Sequence, residues 1–380
     1  MIIKKLKSYN YRQYNYKLVL LLMIITIFGI VVIDSAGSSA GFEKKQLVGF
    51  IISLVMMLII SLFDYKFILK FYWLIYLFNI GLLLLVEFAG KNVNGATRWY
   101  EFNIGSFSIQ FQPTEFAKLF LILFFAKFLS RFKDYINKWL FLGVVAFLSA
   151  IPLFLIVMQP DLSSTILITA IICTIIYMAG ISYKKIAIIV TIVVLAVLSI
   201  FLYIKINPDQ KIIKTYQIER VLAFLYPDQY EDKAYQQENS VLAIGSGKLD
   251  GKGLNNDDTQ SVKNAGFLPE PQTDFIFAVI GEELGFKGTC LTLALLALII
   301  IEVIVTAIKA ADFQGRLIAT GIAAQLIFQV FINIGVTTAL LPNTGIPLPF
   351  VSYGLSSLVA VYAEMGILIN INLQTKSRER

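Results

Sequence analysis

The stretch FLPEPQTDFIFAVIGEELGFKG, Phe267–Gly288, closes a long polar segment and opens a strongly apolar one. Pro269 and Pro271 forbid regular helix just ahead of Asp274. Thr273 is a good N-cap residue, which puts Asp274 at the first helical position, where the helix dipole stabilises a carboxylate. An apolar window then runs over 275–307. A bilayer crossing needs roughly 17–25 residues, so this window reads as a membrane span that tilts or begins with a broken turn. A helix-start charge accounts for Asp274 but not for Glu270, Glu282 and Glu283 close by.

The rest of the chain agrees with the membrane reading. Its 380 residues are 57% hydrophobic and 15% charged, against about 45–50% apolar and about 25% charged in soluble domains. About ten windows are long enough to cross a bilayer, near 17–36, 46–63, 67–86, 114–130, 139–158, 162–181, 186–206, 275–307, 317–341 and 352–372. The fourth is interrupted by Lys118 and Lys127. Residues 1–380 are thus expected to form one all-α polytopic membrane domain of about ten transmembrane helices. DSAGSSA, after the first window, offers small residues like a signal-peptide cleavage site, but nine further spans make an uncleaved anchor the better reading.

Orientation follows from basic residues in short loops. Lys4, Lys5, Lys7, Arg12 and Lys17 precede the first span. Alternate loops carry Lys66 and Lys70, then Arg131, Lys133 and Lys138, then Lys184 and Lys185, then Lys309 and Arg316, and the tail carries Lys376, Arg378 and Arg380. Both termini are therefore expected in the cytoplasm, with 207–273 a large extracellular loop between spans 7 and 8. The net charge of +7 is spread among these loops, which is a pattern of membrane orientation and not a nucleic-acid surface. With no histidine and two cysteines, a Ser-His-Asp triad, a Cys-His pair and a His/Cys zinc site are excluded. Cys173 and Cys290 fall inside apolar windows and read as core thiols. AIGSGKLDGKGLN, 243–255, lacks both Walker spacing and a strand-turn-helix context, so it reads as a turn-rich external loop.

Five polar, proline-marked clusters converge on the outer side: GATRWY (95–100), QPTEFAK (112–118), MQPDLSS (158–164), PEPQTDF (269–275) and NTGIPLPFVSYG (343–354). Glu115 and Lys118 are three apart and share a helix face, either as a local ion pair or as the wall of a polar cavity. Asp161 caps the sixth span or contributes to that cavity. Arg98 suits a phosphate headgroup or a phosphorylated substrate. Pro347 and Pro349 break any helix, giving a re-entrant turn or a simple external one. Asp274 is a charge-matched helix start or, if partly buried, a base.

These motifs, NGATRW, QPTEFAKL, MQPDLSST, FLPEPQTDFIFAVIGEELGFKG and LLPNTGIPLPFVSYGLSSL, resemble in order and over nearly the whole chain the SEDS family (shape, elongation, division, sporulation) of peptidoglycan polymerases typified by RodA and FtsW. TGIPLPF is closer to the RodA wording. The resemblance implies a glycosyltransferase that joins lipid II units outside the membrane and releases undecaprenyl diphosphate. It implies Asp274 as the essential aspartate and Arg98, Glu115, Lys118, Asp161 and Ser352 of the SYG turn as substrate-binding residues. It also implies a single-span class B penicillin-binding protein as partner, among membrane lipids and without nucleic acid. Positive charge for the departing diphosphate would come from Lys118 and Arg98, or from a divalent cation, magnesium or manganese, held by carboxylates. Two positions depart from the family pattern: Gln272 stands where histidine is common, and Leu355 stands where SYGGSS has its second glycine. A lipid-linked precursor flippase is the competing function, but it needs access from both faces, whereas the polar clusters lie on one. A scaffold alone leaves Glu115 and Lys118 unexplained.

The orientation has a direct check. A membrane-impermeant thiol reagent applied outside should label a cysteine introduced near Lys248 and spare one near Lys184. The opposite pattern would reverse the whole topology.

Overall fold

The computed structural model describes residues 9, 11–36, 41–93, 96–104, 107–192, 222–224, 226–255, 261, 267–268 and 270–375. The long apolar windows fold as helices: α1 (Tyr16–Ala36), α2 (Phe42–Leu62), α3 (Tyr72–Ala89), α4 (Pro113–Arg131), α5 (Trp139–Met158) and α6 (Leu162–Met178). A helix α7 covers 183–192. The remainder of the seventh window, the loop up to 221 and the terminal basic residues Lys4, Lys5, Lys7, Lys376, Arg378 and Arg380 lie outside the described residues. After α8 (Glu231–Ser246) come α9 (Ile276–Lys309), α10 (Phe313–Thr337) and α11 (Leu355–Leu373). Among the described residues, seven helices are long and apolar enough to cross a membrane. Their outward faces carry large apolar side chains such as Leu74, Leu140, Phe147 and Ile308, as lipid-facing helices do. Cys173 and Cys290 lie on such outward faces as free thiols, so the core placement expected for them is corrected.

α11 is the enclosed hub, with every residue from Ala360 to Leu373 buried. It packs most extensively on α2 and also touches α4, α9 and α10. Its Tyr362 hydroxyl sits 2.8 Å from Thr26 Oγ1 of α1.

The segment 342–354 between α10 and α11 is irregular, yet Ile346, Leu348, Phe350 and Val351 are buried. A Cβ on Gly29 of α1 would come within 2.8 Å of the Val351 backbone. Gly29 lies seven residues inside the end of α1, about 10 Å along the helix. The turn is therefore re-entrant, packed among helices where irregular backbone is tolerated.

Between the third and fourth spans lies a three-stranded antiparallel sheet: β1 (Lys91–Val93), β2 (Ala96–Ile104) and β3 (Phe107–Phe111). Tyr100 pairs with Phe111 and Ile104 with Phe107. The signal was present in the sequence. YEFNI and FSIQF each alternate apolar with polar residues around Gly105-Ser106, a hairpin pattern.

α9, at 34 residues, would be about 51 Å long if straight, well beyond a bilayer core of about 30 Å. It breaks at Gly285, whose backbone is non-helical (φ 62, ψ −161). The glycine-rich segment 247–253 docks into the break. Lys252 N and Gly253 N donate to Glu282 O and Glu283 O at 2.9 and 2.8 Å, while Phe286 N and Lys287 N donate to Lys248 O and Leu249 O at 2.8 and 3.2 Å. Glycine is required for this approach: a Cβ on Gly251 (φ +80) would lie 2.1 Å from Glu283 O. The segment is a structural clamp, more than the turn-rich loop expected of it.

Gly251→Ala should therefore destabilise the protein by at least about 1–2 kcal/mol from backbone strain alone, read as a lower melting temperature and new proteolysis within 247–255. Gly245→Ala should be tolerated, because a Cβ there meets nothing within 4 Å.

Candidate active site

Arg98 and Trp99 of β2, the first turns of α4 and α6, the segment 270–274 and the re-entrant turn together line a cavity of about 230 Å³ at one end of the bundle. Small-molecule sites typically measure about 300–1,000 Å³, so this one fits the reacting part of a ligand and leaves the rest outside. Five of the six residues singled out from the sequence, Arg98, Glu115, Lys118, Asp161 and Asp274, line it.

Their local geometry resolves most of the paired readings. Glu115 and Lys118 are 5% and 2% exposed and bonded at 2.9 Å. They are an ion pair and a cavity wall at once. Asp161 likewise does two things. Its carboxylate accepts from Ser164 N at 3.1 Å and Ser164 Oγ at 2.8 Å, capping α6, and it also reaches the cavity. Arg98 donates through Nε to Gln159 O at 3.2 Å and through Nη2 to Pro160 O. That uses two of the five N–H donors of a guanidinium.

Ser352 is placed differently. It is buried, its Oγ donates to Thr273 O at 2.6 Å and accepts from Leu348 N at 2.8 Å, and it does not line the cavity. It closes the turn that carries its neighbours. Tyr353 does line the cavity.

Asp274 does not stand in a helix. α9 starts at Ile276, and Thr273 is no N-cap: its hydroxyl donates to Glu270 O at 2.8 Å. The re-entrant turn competes for this backbone and wins. Thr273 O is taken by Ser352, Gln272 O accepts from Tyr353 N at 2.9 Å, and Asp274 O accepts from Asn333 Nδ2 at 2.8 Å. A Cβ on Gly345 would sit 3.3 Å from Asp274 Oδ2, so the turn passes directly over the carboxylate.

The three glutamates that a helix-start charge leaves unaccounted for divide between two places. Glu270 lines the cavity. Glu282 is bonded at 2.7 Å to Lys252, and Glu283 accepts from Ser35 Oγ, whose oxygen in turn accepts from Asn255 N at 3.0 Å. They fasten the clamp. Among the described residues no three Asp, Glu or Cys side chains group as a protein-only metal site. A divalent cation held here would rely on one or two carboxylates plus substrate oxygens, as magnesium sites commonly do.

The sequence reading missed a polar stripe on α10. Gln325, Gln329, Asn333 and Thr337, at i, i+4, i+8 and i+12, share one face and are all at most 1% exposed. Polar residues at membrane depth on one helical face are the signal that would have found them. Asn333 holds Asp274 O and Ile346 O, both at 2.8 Å. Gln325 Nε2 donates to both oxygens of the buried Glu364 at 2.9 and 3.0 Å.

Fold and cavity define the class: a multi-pass α-helical membrane protein with a site of paired carboxylates and cations sunk into one end. The chain belongs to the FtsW/RodA/SpoVE family, whose model, described as a cell cycle protein, matches residues 13–377. It is 35% identical over 399 aligned positions, 100% of this chain and 94% of the other, to the probable peptidoglycan glycosyltransferase FtsW of Bacillus subtilis. It is 33% identical over 94% of its length and 93% of the relative's to the peptidoglycan glycosyltransferase MrdB of Escherichia coli. Its structure superposes with a TM-score of 0.75, at 28% identity, covering 94% of this chain and 97% of the other, on a chain from work titled "Structural coordination of polymerization and crosslinking by a peptidoglycan synthase complex".

Breaking a buried ion pair leaves an uncompensated charge worth about 3–5 kcal/mol, so Lys118→Ala alone confounds folding with function. Lys118→Met combined with Glu115→Gln should fold normally in membranes and lose nearly all activity. The swapped pair Glu115→Lys with Lys118→Glu should also be inactive. Full activity of the swapped protein would reduce the pair to a structural one.

Proposed function

We propose that this chain polymerises lipid II into glycan strands at the outer face of the cytoplasmic membrane and releases undecaprenyl diphosphate. The observation that carries the reading is the meeting, in one cavity, of Asp274 with the Glu115–Lys118 pair, Arg98 and Asp161. In this reaction a sugar hydroxyl attacks an anomeric carbon. A C–O bond forms to the incoming oxygen, the C–O bond to the lipid diphosphate breaks, and the diphosphate leaves with the electron pair. Asp274 takes the hydroxyl proton as general base. Lys118 and the donors of Arg98 not given to Gln159 and Pro160 face the departing negative charge. Arg98, Glu115, Lys118 and Asp161 are thereby the substrate-binding residues, and Ser352 acts through the turn it closes. A divalent cation, if bound, would add charge neutralisation at the diphosphate oxygens.

The basic loops support an orientation with both termini in the cytoplasm, which puts the cavity outside, where the lipid-linked head is presented while its tail stays in the bilayer. The product strand calls for cross-linking, and a single-span class B penicillin-binding protein is the partner that this reading entails.

Asp274→Asn keeps size and most hydrogen bonding but removes the proton acceptor. Losing a general base costs about 10²–10⁴ in rate. Asn333 and the re-entrant turn hold this segment through backbone oxygens that the substitution leaves in place, so the variant should express and fold normally yet give almost no glycan from purified lipid II. Near-normal glycan synthesis would refute the base assignment, and poor expression would point to a structural role instead.

A further inference from the structure

Gln329 lies at the floor of the cavity, between two amides of its stripe whose nitrogens are both engaged. Gln325, one turn deeper, spends its nitrogen on Glu364, and Asn333, one turn shallower, spends its own on Asp274 O and Ile346 O. Gln329 lines the cavity and is 0% exposed, yet among the described residues neither Nε2 nor Oε1 has a hydrogen-bond partner. Thr344 Oγ1, on the facing re-entrant turn, also lines the cavity without a partner among the described residues. Buried polar groups are normally satisfied, so an amide orphaned at both ends and aimed into a cavity points to a ligand that completes it.

We propose that Gln329 is a sugar-binding residue: its carboxamide takes an adjacent donor and acceptor on a pyranose ring of the substrate. This rests on the glycosyl-transfer reading above and specifies which part of the substrate reaches the cavity floor. A carboxamide presents one donor side and one acceptor side. A diphosphate offers acceptors only, is matched by the cations Arg98 and Lys118, and would repel Oε1. Neighbouring hydroxyl and acetamido groups on a sugar offer both functions side by side. The α10 register puts Gln329 one turn, about 6 Å along the axis, from the residue that holds Asp274 O. A ring bound there lies within reach of the base.

The test is binding to the Asp274→Asn protein in nanodiscs, which uncouples affinity from turnover, with and without Gln329→Met, or Gln329→Leu should the first fail to fold. Lipid II and undecaprenyl diphosphate, which lacks the sugars, are titrated separately. The added apolar substitution should weaken lipid II binding about tenfold, the scale of one buried hydrogen-bonding site. It should leave undecaprenyl diphosphate binding unchanged and the melting temperature equal or higher, since no protein partner is lost. Unchanged lipid II affinity would overturn the inference. So would an equal loss for undecaprenyl diphosphate, which would assign the amide to the diphosphate or tail, or a fall in melting temperature, which would assign it to the fold. A parent chain that neither binds nor polymerises lipid II would remove the function reading itself, a result distinct from these.

Discussion

One buried carboxamide joins the two irregular pieces of backbone that make the site. Asn333 Nδ2 donates to Asp274 O and to Ile346 O, each at 2.8 Å. In a bilayer an unsatisfied carbonyl costs several kcal/mol, so neither the segment before α9 nor the re-entrant turn could sit at this depth without such donors. The Ser352 hydroxyl and the Tyr353 amide repeat the arrangement on Thr273 and Gln272. The position of Asp274 is thus set by α10 and by the turn before α11, not by the dipole of the helix that follows it. Asp274 thereby lines the cavity from outside the helix.

The clamp on α9 supports the same placement from the other side. A break at Gly285 frees the N–H groups of Phe286 and Lys287, and the carbonyls of Lys248 and Leu249 accept from them. The stretch 286–309, about 36 Å long, is then left to cross the membrane. The preceding segment, which begins just after Asp274, is held by the loop. Glu282 and Glu283 add side-chain bonds to Lys252 and Ser35. α8 is pinned in turn to the end of α10, where Ser240 Oγ donates to Thr337 O at 2.8 Å. Part of the long loop is therefore a wall of the membrane domain, continuous with the helices that carry the site.

What was legible in the sequence follows from the range of each interaction. Apolar windows report lipid contact residue by residue, so α1 to α6 and α9 to α11 were found within a few residues. The Glu115–Lys118 pair and the Asp161 cap are local, at separations of three, and were read correctly as geometry. Ser352 and Thr273 were misplaced because their partners are 79 residues apart. Glu282 and Glu283 were left unaccounted for because their partners, Lys252 and Ser35, are distant in sequence. The backbone pairing of 247–253 with α9 left no side-chain signature except its glycines. The β2–β3 hairpin was hidden for a different reason: windows of bilayer length average out an alternation only five residues long.

The pairing of charges in the cavity also bears on how it would meet an anion. Glu115 neutralises Lys118, the α6 amide at Ser164 engages Asp161, and the carbonyls of Gln159 and Pro160 engage Arg98. Lone buried charges would be far costlier. Beneath them Glu364, fully buried, accepts from Gln325 Nε2 through both of its oxygens. In the proposed transfer, Lys118 would meet the diphosphate without giving up Glu115, because an ammonium has three donors and the ion pair uses one. Both buried charges stay compensated, so the site can be buried before the substrate arrives and still present a cation when negative charge develops.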